Sequence, residues 1–415
     1  RGFSEAGPKD DDGPGGVGSV VSFDGNFENL GLLGSGAFAD VYKARCRADK
    51  QMYAIKRNRR QFRGKRDRER ALAEVRTMQR LQSYCASEPD RHHAAYCVYL
   101  LFFIRAWQED GHFFCQTELC CRDTCRQMMM SLTTRWDEAR SQYPSLESNL
   151  PAPADTARGA TRGRLVPEST VWKICHDIAA GLSHIHSHGM VHYDIKPSNI
   201  FFVAHARLGA LCKIGDFGLA GDVGSCEDGD EGDTAYMAPE LLSSGVLKHT
   251  SADVFSLGLT LYELAAADGT REPFLPAEGP RWHELRGGAH IPELPAGRSR
   301  KLADLIRAMI RPKADQRPLA DYVLERVPRA GEAGSVSDRF LTDYVRDVTD
   351  ADRARERNLD SSLLEARRRR CTPTGPMMMR IAGRVPTGGS KDKPERSWDV
   401  RTPTPEQHPG SVRFP

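Results

Sequence analysis

No stretch of this 415-residue chain is apolar for long enough to cross a bilayer. The longest nearly unbroken run, Tyr96 to Ile104, is about half of the roughly 20 residues that a spanning helix needs, so no transmembrane segment is expected. Charge of one sign is equally scarce. Against 59 Lys and Arg stand 56 Asp and Glu, a net +3 that excludes a nucleic-acid partner held by bulk electrostatics and leaves any basic function local. The eleven cysteines are an odd number without paired C-x-x-C spacing, which argues against a disulfide framework or a zinc cage and fits a reducing compartment. Neither a Met nor an apolar signal region stands at Arg1, so targeting is unreadable there. Internal repeats are absent as well.

What is present is the composition of a globular protein, 39% hydrophobic and 28% charged, in a chain long enough for two to three domain-sized units. Residues 1–24, rich in Gly, Asp, Ser and Pro, read as a disordered leader. Strand-like runs follow at Asp40–Ala44, Met52–Lys56, Val98–Ala106 and Phe113–Leu119, and amphipathic helical stretches come later, at Val171–His188 and Asp253–Ala266. Strands first and helices afterwards predict an α+β fold of two lobes, a small sheet lobe over about 25–119 and a larger helical lobe over about 120–328. The aperiodic segment 143–167, with its Pro, Ser, Gly and Arg, reads as a surface insertion. Residues 329–415 hold one short helical stretch, then Arg-rich, Thr-Pro and Gly segments, and read as a mostly disordered regulatory tail.

Chemistry enters with Leu33-Gly34-Ser35-Gly36-Ala37-Phe38-Ala39-Asp40-Val41, a glycine-rich turn between two strand patterns. A dinucleotide site is disfavoured, because there the glycines open a helix. Glycines at 34 and 36 let backbone N–H groups approach phosphate oxygens, and Val41 would lie against a flat apolar base. Alone, the turn is equally well a tight hairpin. Lys56, in Tyr53-Ala54-Ile55-Lys56, sits on the following strand, and Glu74 falls in the helical stretch Arg68–Leu81. An ammonium fixed by a carboxylate can hold the α and β phosphates of a nucleotide. Taken singly, these two also read as a solvated lysine and one charge among many.

Three later segments remove the ambiguity: His192-Tyr193-Asp194-Ile195-Lys196-Pro197-Ser198-Asn199, Gly215-Asp216-Phe217-Gly218 and Ala238-Pro239-Glu240. Asp194 can accept a hydroxyl proton, Asn199 five residues later can bind a metal, and Asp216 supplies a second metal-binding carboxylate. Phosphoryl transfer needs little covalent chemistry but much positioning and charge neutralisation, which accounts for carboxylate, amide and ammonium groups in this order.

With these motifs in sequence, residues 27–327 resemble a eukaryotic protein kinase. Asp253 resembles the helix residue that braces the catalytic loop, and Arg317 resembles the partner of Glu240. The segments Phe62–Arg68, Ala73–Val75, Gln116–Cys120, Lys196–Phe201 and Glu231–Leu242 are similar to the Wee/Myt family, inhibitory kinases of cyclin-dependent kinases. Asp216-Phe217-Gly218 and Thr117 look more like its membrane-associated Myt-type branch than its nuclear Wee-type branch. The resemblance implies a kinase domain over 25–328 that uses ATP and Mg²⁺. Carried over residue by residue, it assigns the nucleotide to Leu33, Gly34, Ser35, Gly36, Val41, Ala54, Lys56, Glu74, Thr117, Glu118 and Cys120, the metal to Asn199 and Asp216, and catalysis to Asp194 and Lys196. It further implies phosphorylation of a Thr-Tyr pair in the glycine loop of a cyclin-dependent kinase, where phosphate would repel ATP and delay the G2/M transition. Lys196, two residues after Asp194, is the pattern of serine/threonine kinases, so tyrosine activity comes from the resemblance alone. So does a place on the cytoplasmic face of endoplasmic reticulum or Golgi membranes, the alternative being cytoplasm or nucleus.

Many kinases carry Arg before the catalytic Asp to pair with an activation-segment phosphate; Tyr193 stands here. Glu227, Asp228, Asp230, Glu231 and Asp233 already crowd that segment with negative charge, so activity without its phosphorylation is expected. His184, His186, His188 and His192 mimic a metal cluster, yet His186 points away from the face shared by His184 and His188, and His192 is expected to pack under Phe217. Arg357-Asn358-Leu359 resembles the Arg-x-Leu motif that docks on cyclins, Thr372-Pro373, Thr402-Pro403 and Thr404-Pro405 suit proline-directed kinases, and Arg367–Arg370 reads as a solvated basic run. The rival readings are a pseudokinase scaffold for cyclin complexes and a serine/threonine kinase with unrelated targets.

Overall fold

Alternating burial closes the first quarter of the chain into an antiparallel sheet. Its strands are β1 (Phe27–Ser35), β2 (Ala39–Cys46), β3 (Met52–Asn58), β4 (Phe103–Glu109) and β5 (His112–Glu118), in the order β1-β2-β3-β5-β4. Because side chains alternate along a strand, Phe114 turns to one face and Phe113 and Cys115 to the other. On the first face Phe114 stacks on Trp107, with ring centroids 5.1 Å apart, beside Phe27 and Ile55. A helical turn, α1 (Phe23–Asn26), closes that face. On the other lies α2 (Lys65–Gln82), which buries Ala71, Val75, Met78 and Leu81. This computed structural model describes residues 21–36, 38–82, 97–134, 166–225, 232–242, 248–266, 275–288, 293–295, 297–328, 338–370 and 399–401.

The larger lobe is helical: α3 (Cys125–Thr134), α4 (Glu168–Ser187), α5 (Thr250–Ala266), α6 (Pro280–Gly287), α7 (Arg300–Met309), α8 (Ala320–Arg326) and α9 (Arg339–Arg370). Nearly every residue of α5 is buried, its apolar residues being spread over all faces of the helix, so α5 serves as the post on which the other elements are hung. Two ribbons lie between the lobes, β6 (Met190–Val191) with β9 (Gly221–Asp222) and β7 (Ile200–His205) with β8 (Gly209–Ile214); β10 (Asp399–Arg401) pairs with the outer edge of β4.

The described residues depart from the sequence expectations at four places. Residues 21–24, expected in the leader, are part of the fold: Val21 and Phe23 are buried, and Ser22 and Phe23 donate hydrogen bonds to the Glu109 carboxylate at 2.8 and 2.7 Å. Of the expected insertion 143–167 only Val166 and Pro167 are described, and Val166 is a core residue. The expected strand Val98–Ala106 begins only at Phe103; Leu100 is buried and makes a single bridge to Ile214, and its apolar neighbours before Phe103 are partly buried without joining the sheet. Finally, the tail expected to be mostly disordered carries α9, whose Phe340, Leu341, Tyr344, Val345 and Val348 are buried against the larger lobe. Their spacing of three and four residues makes one helical stripe that had to be covered. Arg357 and Leu359 lie on this helix, whereas Thr372, Thr402 and Thr404 lie outside the described residues.

Candidate active site

Strand register sets the upper wall of the cleft. Val41 pairs with Lys56, and Ala54 with Thr117, so these four side chains occupy one face of the sheet. Lys56 also pairs with Cys115, placing it on the α2 side, where its Nζ lies 2.9 Å from Glu74 Oε1 and 3.4 Å from Asp216 Oδ1. Burial pushes the Lys56 ammonium down, but the charges of Glu74 and Asp216 outweigh it and hold it above its ordinary value. The Lys56 charge in turn holds the Asp216 carboxyl below the usual range. Both groups are therefore ionised at neutral pH.

Leu33, Gly34 and Ser35 end β1 above this pair, and Gly36 begins the turn to β2, its N–H donating to Ala39 O at 2.9 Å. A Cβ at Gly34 would meet nothing within 4 Å and one at Gly36 only Ala39 O at 3.6 Å, so internal packing does not require either glycine. What the missing side chains leave is room for a ligand to come close to the backbone. Ser35 Oγ donates to Asp40 at 2.7 Å and Arg59 Nε to the same oxygen at 2.9 Å, which ties the turn down at its base. At the far end of the sheet, Thr117 Oγ1 donates to Glu118 O at 3.2 Å. The Glu118 carboxylate is held away by Lys213 Nζ at 2.6 Å and the Phe102 N–H at 2.7 Å, and Cys120 follows in the partly exposed connection to the larger lobe.

The lower wall is the loop between β6 and β7. Asp253, fully buried on α5, accepts from the N–H groups of His192 at 2.9 Å and Tyr193 at 2.7 Å and from His186 Nε2 at 2.9 Å. This fixes Tyr193 in a left-handed conformation (φ 68°), uncommon for a non-glycine residue, and turns Asp194 toward the cleft. Asn199 Nδ2 donates to Asp194 O at 2.9 Å and Oδ2 at 2.8 Å, which leaves Asn199 Oδ1 without a protein donor among the described residues. Asp216, also left-handed (φ 64°), follows β8 with an exposed carboxylate, while Phe217 is buried with its ring 5.2 Å from His192. Asn199 O accepts from the Gly215 N–H at 3.0 Å, so Asn199 and Asp216 belong to adjoining segments. An amide oxygen and a carboxylate are the hard oxygen donors that suit Mg²⁺.

Lys196 Nζ lies 2.9 Å from Asp194 Oδ2 and 3.7 Å from Asp233 Oδ2, and the Asp233 N–H approaches Asp194 Oδ1 at 3.5 Å. The sequence marked Asp233 only as one acid in a crowd; its place three residues before Tyr236 in the run to Ala238-Pro239-Glu240 is the signal that could have singled it out. Arg286 on α6 donates to the carbonyls of Thr234, Ala235 and Met237 at 2.7, 3.0 and 2.9 Å, and Arg317 grips both oxygens of Glu240 at 2.6 and 2.7 Å. The segment before α5 is thus pinned by guanidinium groups. Glu227, Asp228, Asp230 and Glu231 lie outside the described residues.

A cleft between a sheet and a helical lobe, with an ammonium between two carboxylates above and a second carboxylate–ammonium pair below, is an arrangement suited to phosphoryl transfer. A protein kinase domain family matches residues 146–327. A "Membrane-associated tyrosine- and threonine-specific cdc2-inhibitory kinase" of Drosophila melanogaster is 33% identical over 308 residues, covering 74% of this chain and 48% of that protein. A "Probable protein kinase" of Dictyostelium discoideum is 34% identical over 293 residues, covering 70% of this chain and 69% of that protein. "Wee1-like protein kinase 2" of Gallus gallus is 30% identical over 319 residues, covering 72% and 48%. The chain belongs to the protein kinase family and is similar to its Wee and Myt-type members; it spans about half the length of the fly and chicken relatives. ATP is the substrate and Mg²⁺ the usual cofactor of such a domain. No helix among the described residues is long and apolar enough to cross a membrane.

Proposed function

We propose that this chain transfers the γ-phosphate of ATP to Thr and Tyr in the ATP-binding loop of a cyclin-dependent kinase, and so restrains the G2/M transition. The observation that supports the transfer chemistry is the convergence of Lys56, Glu74 and Asp216 on one side of the cleft with Asp194, Lys196 and Asn199 on the other. Lys56, oriented by Glu74, would hold the α and β phosphates beneath Gly34 and Gly36. Leu33, Val41 and Ala54 would flank the base, Thr117 would limit the pocket behind it, and Glu118 and Cys120 would offer it backbone hydrogen bonds. Asp216 and Asn199 Oδ1 would hold Mg²⁺, which when bound neutralises phosphate charge. Asp194 would align the substrate hydroxyl and accept its proton, and Lys196 would offset the charge on the transferring group.

The substrate comes from the names of the relatives: the fly relative is described as a tyrosine- and threonine-specific cdc2-inhibitory kinase. A pseudokinase scaffold is the weaker reading, because no phosphoryl-transfer position is missing. The test is incubation of the full chain with a catalytically dead cyclin-dependent kinase bound to its cyclin, Mg²⁺ and ATP, followed by phosphate mapping. Phosphate on the glycine-loop Thr or Tyr supports the proposal. Phosphate elsewhere points to a kinase with other targets, and none at all points to the scaffold.

A further inference from the structure

Lys43, on β2, did not stand out in the sequence. It pairs directly with Ala54 and lies two residues from Val41, hence on the cleft face of the sheet. It is nonetheless only 8% exposed, because its Nζ sits between the carboxylates of Asp352, at 2.5 Å, and Glu356, both on α9. Helix α9 therefore touches the sheet lobe, although its first turns belong to the other lobe. Asp338 starts it, accepting from the N–H groups of Phe340 and Leu341 at 3.2 and 3.3 Å. Tyr344, fully buried, sets its ring edge on Phe202 and donates to Asp123 at 2.7 Å. The β7–β8 turn passes so close that a Cβ at Gly209 (φ 75°) would come within 2.5 Å of Thr342 Oγ1. Between these two anchorages Arg122, in the connection just after Cys120, lies 3.6 Å from Asp352. The tail meets the sheet a second time where the backbone of β10 pairs with β4.

We infer that α9 is a brace across the interlobe connection, and that Lys43, Asp352 and Glu356 are positioning residues that set the grip of the sheet lobe on ATP. The physical reason is the placement of the ion pairs. A lysine buried with two acids loses far more when its partners are withdrawn than an exposed pair does, so opening the cleft by rotating β2 away from α9 is opposed. The same strand carries Val41 and leads back to the glycine-rich turn, so the restraint acts on the nucleotide site without any of the three residues touching the reacting atoms. The inference rests on the ATP cleft and not on the identity of the protein substrate.

The experiment uses the full chain, a fluorescent ATP analogue with Mg²⁺, and steady-state kinetics on a generic phosphoacceptor peptide. Lys43→Glu, which brings three carboxylates together, should weaken nucleotide binding by about tenfold and raise KM for ATP more than it lowers kcat. Adding Glu356→Lys to it should bring the affinity back to within about threefold of the wild type by restoring one pair with reversed charge. Arg346→Ala, which removes contacts only to Asp343 and Asp347 within the helix, should leave the affinity unchanged. If Lys43→Glu does not fold, Lys43→Met and Glu356→Gln should shift binding in the same direction by a smaller factor. Unchanged affinity in the folded Lys43 variants, no recovery in the reversed pair, or equal effects from Arg346→Ala would each overturn the inference. Failure to phosphorylate a cyclin-dependent kinase would leave it untouched, since nucleotide binding is read directly.

Discussion

Replacing Asp253 by Ala is expected to unsettle the catalytic loop more than any exposed charge change in the molecule. The carboxylate is completely buried and serves the N–H groups of His192 and Tyr193 and the ring of His186. Alanine would leave a buried and a partly buried N–H donor unpaired, at about 1–3 kcal/mol each. It would also release the strain of a left-handed Tyr193, whose cost of about 1–3 kcal/mol is tolerated only while Asp253 enforces it. The two effects oppose each other, and mid-range values leave a net loss of about 2 kcal/mol, with Asp194 no longer aimed at the cleft. Against a total stability of roughly 5–15 kcal/mol this should appear as a fall in Tm of about 4–8 °C, together with loss of phosphoryl transfer. The pH dependence follows from the direction of the Asp253 shift. Burial raises its pKa, but the hydrogen bond and charge of His186 outweigh this and keep it below the ordinary value. A carboxyl lowered on folding contributes stability above its unfolded pKa and loses it as pH falls through the folded one. The Tm gap between wild type and variant should therefore be constant around neutrality and narrow only below about pH 4. Scanning calorimetry and a peptide phosphorylation assay measure both quantities. A variant with unchanged Tm and full activity would refute the argument.

Three further outcomes are expected. Asp194→Asn should lower the transfer rate by about 10²–10³-fold while ATP-analogue binding persists, because only the group proposed to face the hydroxyl is changed. Gly34→Ala should raise KM for ATP with little change in Tm, since the added methyl meets no protein atom within 4 Å and can collide only with a ligand; a large fall in Tm would show that the glycine serves the fold. Treatment of purified protein with a phosphatase should leave activity intact, and its loss would show that an activation phosphate is needed after all.

The site was legible where sequence spacing is itself the geometry. Asp194 and Asn199 are five residues apart in one loop and meet at 2.8 Å, and Glu74 falls on the one helix packed beside Lys56. Legibility ended where partners are remote. Lys43 and Asp352 are 309 positions apart, and nothing local to either reveals the other. The apolar stripe of α9 was present as Phe340, Leu341, Tyr344, Val345 and Val348, but a helix otherwise rich in Arg and Asp reads as solvated unless a receiving surface is known. The apolar residues before Phe103 misled for the opposite reason: a partly buried connection between two lobes has the same composition as a buried strand.

Tyr193 occupies the place before Asp194 with the Lys248 ammonium 5.3 Å from its ring centroid, and Asp233 and Arg286 secure the segment that follows. These fastenings are all encoded, so none waits for another enzyme to add it. A catalyst assembled in this way would be competent once folded, and restraint would then come from how much is synthesised, how long it survives, and what company it keeps. For a protein proposed to hold back cell division, the brake would be on by default, and division would begin with its removal.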